Sequence, residues 1–224
     1  MLKALIIADR DISGQVTAVL ADLLDEGRLF DIETNADIES KLIDLGSALD
    51  YDLFVIHGSP PNITETARAN FEHSLRDGAG LLIIHGERSG SDAWPLFEQV
   101  SVCLAEPTDG AATAVRIHYL DHYHPVARGV RDFSIVTSLP TLVNVPAPPV
   151  HVIIANASPE DGVNLASHAM TVMVSTSYGR GRIFHSLIGA VDSQGQSPLN
   201  ACDPLRHVLV RAAEWAATGN VLDF

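Results

Sequence analysis

The sequence feature that most constrains the fold is an apolar stretch that ends abruptly in polar residues. Gly80–Ile84 contains only glycine, leucine and isoleucine, and His85, Gly86, Glu87 and Arg88 follow it directly. A short apolar run without alternation predicts a strand buried on both faces, as in a parallel sheet covered by helices. Ligands of open α/β sheets bind beyond the carboxyl ends of such strands, so these polar side chains are predicted to face a pocket. The alternative is that His85 only caps the strand with a hydrogen bond.

The first part of the chain alternates strand-like and helix-like segments. Predicted strands at 2–8, 29–34, 51–57 and 80–84 are separated by predicted helices at 15–26, 37–49 and 64–76. This alternation is typical of βαβ units with right-handed crossovers. It predicts a parallel sheet with helices on its faces.

The second part is less regular and adds further β elements. Its pattern predicts a short helix over 94–102, strands over 112–119, 150–155, 170–175 and 181–187, and one or two strands over 133–145. A last helix is predicted to begin at Asp203-Pro204, since proline is favoured in the first helical turn. No repeat and no linker divides the sequence, so residues 1–224 are interpreted as one domain.

The amino-acid composition of the chain restricts the classes of molecule that it is expected to bind. The chain has 224 residues, 46% of them hydrophobic, and a net charge of −14. Such acidity disfavours nucleic acid, because neutralising phosphate supplies most non-specific affinity. No apolar run approaches the ~20 residues that span a bilayer, and the first residues form a strand pattern rather than a signal peptide. Cys103 and Cys202 lack metal-type spacing and are expected to be reduced thiols. A cytoplasmic protein is therefore expected.

Four motifs, in their order and spacing, resemble the ThuA-like (trehalose utilisation) family. They are GLLIIH at 80–85 followed by Trp94, HPVARGVRDF at 124–133, YGRGRIF at 178–184 and AEWAATG at 213–219. The resemblance covers nearly the whole chain. It implies the class I glutamine amidotransferase-like fold, a flavodoxin-like three-layer sandwich with a mainly parallel central sheet. It also implies a role in sugar or glycoside metabolism, a small-molecule ligand and a homodimer.

The same resemblance gives a test for glutaminase chemistry. Amidotransferases of this superfamily carry their nucleophile in a Gly-x-Cys-x-Gly turn after the strand that corresponds to 80–84, where this chain has His85 and Gly86. His185 matches the general-base position, but Leu187 replaces the glutamate that follows it in the family. A thioester mechanism needs both a thiolate and an oriented base. Glutaminase activity is therefore not expected.

Histidines at the ends of predicted strands form the centre of the candidate site. His57, His85 and His185 each close a strand, and imidazole suits acid–base chemistry and metal binding near neutral pH. If these strand ends share one edge of the sheet, the three imidazoles can converge. His85, His185 and Glu87 are the candidate catalytic residues. For each histidine the alternative is a local hydrogen bond to the backbone.

Five residues are candidates for substrate binding: His57, Arg88, Trp94, His124 and Arg180. Arg88 would bind hydroxyl or carboxylate groups, unless it lies on a solvated loop. Trp94 is either a stacking platform for a sugar or an anchor in the core. Arg180 and Arg182 alternate along a strand, so one is expected to reach the pocket while the other pairs with an acid outside it.

Three functions remain open from the sequence. The first is an enzyme or binding protein for a sugar or sugar derivative. The second is a non-catalytic structural or partner-binding subunit, because the nucleophile and several polar positions of the family pattern are replaced. The third is a hydrolase with a divalent metal held by His122 and His124, which lie at i and i+2. No other cofactor is predicted.

Overall fold

A computed structural model describes residues 1–8, 14–34, 37–84, 94–100, 105–106, 112–138, 141–142, 152–160, 170–190 and 197–222. Its strands are β1 (Leu2–Ala8), β2 (Phe30–Thr34), β3 (Leu53–His57), β4 (Gly80–Ile84), β5 (Ala105–Glu106), β6 (Thr113–Tyr119), β7 (Phe133–Thr137), β8 (Thr141–Leu142), β9 (Val152–Pro159), β10 (Met170–Tyr178) and β11 (Gly181–Ser186). Its helices are α1 (Gln15–Glu26), α2 (Ile38–Leu42), α3 (Leu45–Leu49), α4 (Glu65–Asp77), α5 (Pro95–Val100), α6 (Pro198–Ala201) and α7 (Asp203–Thr218).

The described strands form one large mixed sheet and one small hairpin. The large sheet has nine strands in the order β2-β1-β3-β4-β11-β10-β9-β6-β7, and β5 pairs with β8. The pairs from β2 to β11 are parallel, whereas every pair from β11 to β7 is antiparallel. The prediction of a mainly parallel sheet is therefore correct only for the first part. Parallel pairing needs helical crossovers, which the described residues between β6 and β11 do not contain.

Helices cover the parallel strands on both faces, which gives three layers. Helices α1 and α7 bury Leu20 and Leu209 in one apolar cluster with one face of the sheet. Helices α2 to α5 bury Phe71 and Phe97, among others, in a second cluster against the opposite face, and Trp94 packs there just before α5. β3 and β4 are buried along their whole lengths, as the uninterrupted apolar pattern predicts.

Local capping explains where several helices begin and end. The predicted helix over 37–49 is two short helices, because the Asp44 side chain accepts a hydrogen bond from the Ser47 N–H and begins a new helix. Helix α7 begins with proline in its first turn, as predicted, and ends at Gly219, whose φ of 81° suits glycine. No described helix combines the length and the apolar character needed to cross a bilayer.

Candidate functional site

The carboxyl edge of the sheet is the edge at which the parallel strands β1, β3, β4 and β11 end, and the opposite side is the amino edge. His57 closes β3 in register with Ala8 on one side and Ile84 on the other, and Ser186 is also in register with Ile84. Because β2 and β3 flank β1, the strand order reverses between β1 and β3. Doubly wound sheets bind ligands at this reversal, so His57 stands at a favoured binding position.

His57 is buried and already holds part of the backbone. Its side chain is 6% exposed, and its Nε2 accepts a hydrogen bond of 3.3 Å from the Ala190 N–H. A nitrogen that accepts carries no proton, so the imidazole is neutral. The segment before Ala190 is turned by Ser186, whose hydroxyl bonds both the N–H and the C=O of Ile188. His57 therefore ties the chain that leaves β11 to the end of β3.

His185 is 2% exposed and lies near the end of β11, in register with Ile83. Since successive strand residues point to opposite faces, His185 shares the face of Ile83, which packs with α4. His57 shares the face of Ile84, which packs with α1 and α7. The structure thus brings both imidazoles to the carboxyl edge on either side of β4, but directs them to opposite faces of the sheet.

Three of the predicted site residues, His85, Glu87 and Arg88, lie outside the described residues. They follow β4 in the sequence, and β4 is the strand between β3 and β11. Their roles therefore stay predictions.

Trp94 lies in the core rather than on an open surface. The side chain is 3% exposed, its ring centroid is 5.2 Å from that of Phe71, and Arg68 lies over it at 5.6 Å. Its indole N–H donates to Glu72 Oε1 at 2.9 Å. A sugar-stacking platform needs an exposed ring face, whereas this ring is buried and anchors the core, which is the other role that the sequence allows for Trp94.

Arg180 lies at the amino edge, in the turn between β10 and β11. Its guanidinium donates to the Asp77 carbonyl oxygen at 2.6 and 3.0 Å and forms an ion pair with the Asp77 carboxylate. It therefore holds the end of α4. The alternating neighbour Arg182 donates to the carbonyls of Trp215, Ala216 and Ala217 at 2.8–3.0 Å, so it caps α7 and does not enter a pocket.

His124 also lies at the amino edge, in the loop after β6. Its ring centroid is 4.6 Å from that of Trp215 in an edge-on contact, and its Nδ1 accepts a hydrogen bond from the Val126 N–H. Burial lowers the pKa of His124, against an opposing effect of Asp121. The structure therefore does not bring His124 or Arg180 together with His57 and His185, which end strands at the other edge.

A metal site is the other arrangement raised by the sequence. Within the described ranges, no three His, Cys, Asp or Glu side chains lie close enough to hold a metal ion. His122 and His124 would thus need a ligand from elsewhere. The hypothesis of a metal held by this pair stays a prediction.

A groove of about 460 Å³ lies between the end of α1 and α7. Its two arginines already have partners: Arg206 pairs with Glu26, and Arg211 donates to the carbonyls of Pro125, Val126 and Arg128. With both arginines engaged, the groove offers less ligand chemistry than the carboxyl edge.

Ser186 is a polar residue of the carboxyl edge that is not among the candidates predicted from the sequence. Ser186 is fully buried, and its hydroxyl shapes the chain that leads to Ala190. A serine next to His185 at the end of an apolar strand is the only sequence signal for it. The two residues face opposite sides of the sheet, so Ser186 belongs with His57.

Solved structures share this fold. A ThuA-like protein from Parabacteroides merdae is 21% identical, with a TM-score of 0.79 over 100% of this chain and 92% of that chain. A cytoplasmic protein from Salmonella typhimurium is 14% identical, with a TM-score of 0.70 over 96% and 99%. The carbohydrate deacetylase Agd3 is 15% identical, with a TM-score of 0.58 over 98% of this chain and 33% of that chain. These identities show a shared fold.

Comparison with curated protein sequences gives no match. A model of the trehalose utilisation family, ThuA, matches residues 5–216. The match spans the parallel strands, the antiparallel strands and nearly all of α7. The chain therefore belongs to the ThuA, or trehalose utilisation, family.

Proposed function

We propose that this protein binds, or acts on, a sugar or sugar derivative at the carboxyl edge of β3, β4 and β11. The observation that carries the proposal is the buried imidazole of His185 near the end of β11, beside β4. His57, at the end of β3, lies on the opposite face of the sheet and acts on this edge only through the backbone of Ala190. Family membership supports a carbohydrate ligand, and one fold relative is named as a carbohydrate deacetylase. Another is named as a cytoplasmic protein, and we propose the same location for this one.

The proposed roles follow from position and chemistry. His185, His85 and Glu87 form the acid–base set, because imidazole and carboxylate exchange protons near neutral pH. Arg88 binds hydroxyl or carboxylate groups of the ligand. His57 shapes the site through Ala190, since its Nε2 is occupied by that N–H.

Glutaminase activity does not form part of the proposal. The sequence has His85 and Gly86 where amidotransferases carry their cysteine. Burial raises the pKa of the Cys202 thiol, which opposes formation of the thiolate that a nucleophile requires.

The proposal is tested by thermal unfolding in the presence of sugars, keto-sugars and divalent metals. A ligand at a hundred times its Kd stabilises the fold by about 2.7 kcal/mol, so a true ligand gives a clear shift in Tm. We expect His85→Ala and His185→Gln to abolish the shift and His73→Ala, an exposed histidine on α4, to preserve it. A screen without any sugar hit, or a shift that survives both variants, would contradict the proposal.

A second candidate function is a non-catalytic subunit that associates through α2 and α3. Ile43, Leu45 and Leu49 are 47%, 39% and 42% exposed on this short stretch, and exposed apolar groups of this kind mark association surfaces. The homodimer implied by the family supports a second copy of this chain as the partner. Light scattering tests it: Leu45→Glu with Leu49→Glu should convert a dimer into a monomer, and a monomeric parent protein would exclude it.

A further inference from the structure

A serine, a histidine and an aspartate lie in one hydrogen-bonded chain on the antiparallel part of the sheet. Asp132 Oδ2 is 2.9 Å from His118 Nδ1, and Ser158 Oγ is 3.1 Å from His118 Nε2. His118 is on β6, Ser158 on β9 and Asp132 immediately precedes β7. No local sequence motif marks these three residues, because 14 and 40 residues separate His118 from Asp132 and Ser158.

The charge state of Asp132 determines the direction of these hydrogen bonds. Partial burial opposes its ionisation, but hydrogen bonds from the Tyr119 N–H and His118, with the charges of His118 and Arg116, leave the pKa of Asp132 lowered. An ionised carboxylate only accepts hydrogen bonds, so His118 Nδ1 donates to it. In the neutral imidazole Nε2 then has no proton, and the Ser158 hydroxyl must donate to it.

General-base activation of a serine requires this order of donation, from the serine hydroxyl to the imidazole and from the imidazole to the carboxylate. A carboxylate on Nδ1 fixes the tautomer, and Nε2 is then free to take the hydroxyl proton when Oγ attacks a carbonyl carbon. We propose that Ser158, His118 and Asp132 form a second active site, which hydrolyses small acyl esters independently of the carboxyl edge. Ser158 and His118 are its catalytic residues, and Asp132 is a positioning residue.

Burial restricts the substrate. Ser158 is 2% exposed, whereas the side chains of His118 and Asp132 are 30% and 33% exposed. An ester must therefore approach past the open edge of the imidazole and present a small acyl group to the hydroxyl. An acetyl ester of an alcohol or a sugar hydroxyl has this shape.

Asn156 supplies a candidate donor for the oxyanion. It is in register with His118 on β6 and therefore shares its face of the sheet. Its Oδ1 is buried and has no hydrogen-bond partner among the described residues. An amide oxygen without a partner leaves the group able to turn its N–H₂ towards a developing negative charge.

The reaction balances with water as the only co-reactant. The Ser158 Oγ–carbonyl bond forms as the hydroxyl proton moves to His118 Nε2, and the alcohol leaves with that proton. Water then attacks the acyl group and gives a proton to Nε2. The bond to Oγ breaks, Oγ recovers the proton, and the carboxylic acid is released.

A small fluorophosphonate and p-nitrophenyl acetate test the proposal on the full chain. We expect the fluorophosphonate adduct on Ser158, located by mass spectrometry of peptides. Ser158→Ala and His118→Gln should each lower the rate of ester hydrolysis at least about a hundredfold. Asp132→Asn should lower kcat by a similar factor with KM unchanged, which a purely structural role would not produce. Asn156→Ala should lower kcat by about a hundredfold.

Ser134 offers a matched control. Ser134 and Ser158 are both in register with Arg116 and share its face, but only Ser158 is bonded to His118. Ser134 is exposed, so accessibility alone would favour its labelling. Ser134→Ala should keep both the adduct and the rate of the parent protein. No adduct on Ser158 in the parent protein, or an unchanged rate in folded His118→Gln, would overturn the proposal.

A thiol variant covers the case in which Ser158→Ala does not fold. Ser158→Cys nearly preserves the size of the side chain, and His118 would take the thiol proton. We expect iodoacetamide to alkylate it at least about tenfold faster than Ser134→Cys, because the thiolate is the reactive form. Equal or slower alkylation than at the exposed Ser134→Cys would count against an activating His118.

Discussion

The parallel and antiparallel parts of the sheet expose different kinds of surface. β3 and β4 are buried at every position, whereas β7 alternates buried and exposed residues. Helices on both faces leave the parallel strands only their ends for binding. β6 and β7 bury one face and carry polar side chains on the other, where His118 of β6 meets Ser158 of β9. Burial on both faces thus restricts chemistry to an edge of the sheet, whereas burial on one face leaves the other face available for it.

The largest expected effect tests how tightly the parallel part is packed. A Cβ at Gly80 would lie 2.5 Å from the Ala216 carbonyl oxygen, because α7 crosses directly over the start of β4. Gly80→Ala should therefore lower the free energy of unfolding by about 3 kcal/mol, measured by urea denaturation.

Gly129→Ala is the matched control in the loop between β6 and β7. Its φ is 75° and no atom lies within 4 Å of the new Cβ, so only backbone strain of about 1 kcal/mol is expected. Equal losses of unfolding free energy in the two variants would show that the close packing of α7 on β4 costs no more than the backbone strain at Gly129.

Two arginines fix α7 to different parts of the sheet, and replacing either one should have an effect of intermediate size. Arg182 on β11 donates to three carbonyls at the end of α7, and Arg211 on α7 donates to three carbonyls of the loop between β6 and β7. Replacing either by methionine removes charged hydrogen bonds and should cost about 2 kcal/mol.

Hydrogen exchange shows which part each arginine supports. Arg211→Met should speed exchange in residues 121–131 and leave β4 protected, whereas Arg182→Met should speed exchange in the last turn of α7. The same pattern from both variants would mean that the two parts of the sheet open as one unit.

The smallest effect concerns pH and the amino edge. Burial lowers the pKa of His124 in the fold, so the folded state binds fewer protons than the unfolded state near pH 6.5. This contribution to stability is complete above the unfolded pKa and is lost as the pH falls through the folded pKa. The Tm should therefore fall between pH 7.5 and 5.5, and His124→Gln should reduce the fall. An identical fall in the variant would assign it to other groups.

The positions of the helices and strands could be predicted better than the directions in which the strands run in the sheet. Gly80–Ile84 is the predicted buried strand, and Gly219 ends the last helix as glycine should. The direction of β6 is not encoded in its own residues, because its pairing with β9 depends on a partner far along the chain. β10 and β11, in contrast, are joined by only two residues, Gly179 and Arg180, which is a local signal of antiparallel pairing. His124 and Arg180 follow strands that run towards the amino edge, so the same sequence pattern placed them away from His57.

The positions of the candidate site residues in the chain could be predicted, but their orientations could not. The apolar runs placed His57 and His185 at strand ends, but the face that each imidazole takes depends on register, which the sequence does not give. The Asp44 cap that divides one predicted helix is a local signal that could have been recognised. The meeting of Ser158 with His118 is not local, since it depends on the pairing of β6 with β9.

Among the described strands, β11 alone has one parallel and one antiparallel neighbour, β4 and β10. During synthesis β4 is made roughly a hundred residues before β11, so until then β4 is an edge strand with one unpaired side. Until β11 inserts, that side can pair with another chain, and the nascent protein should need protection from aggregation at this stage.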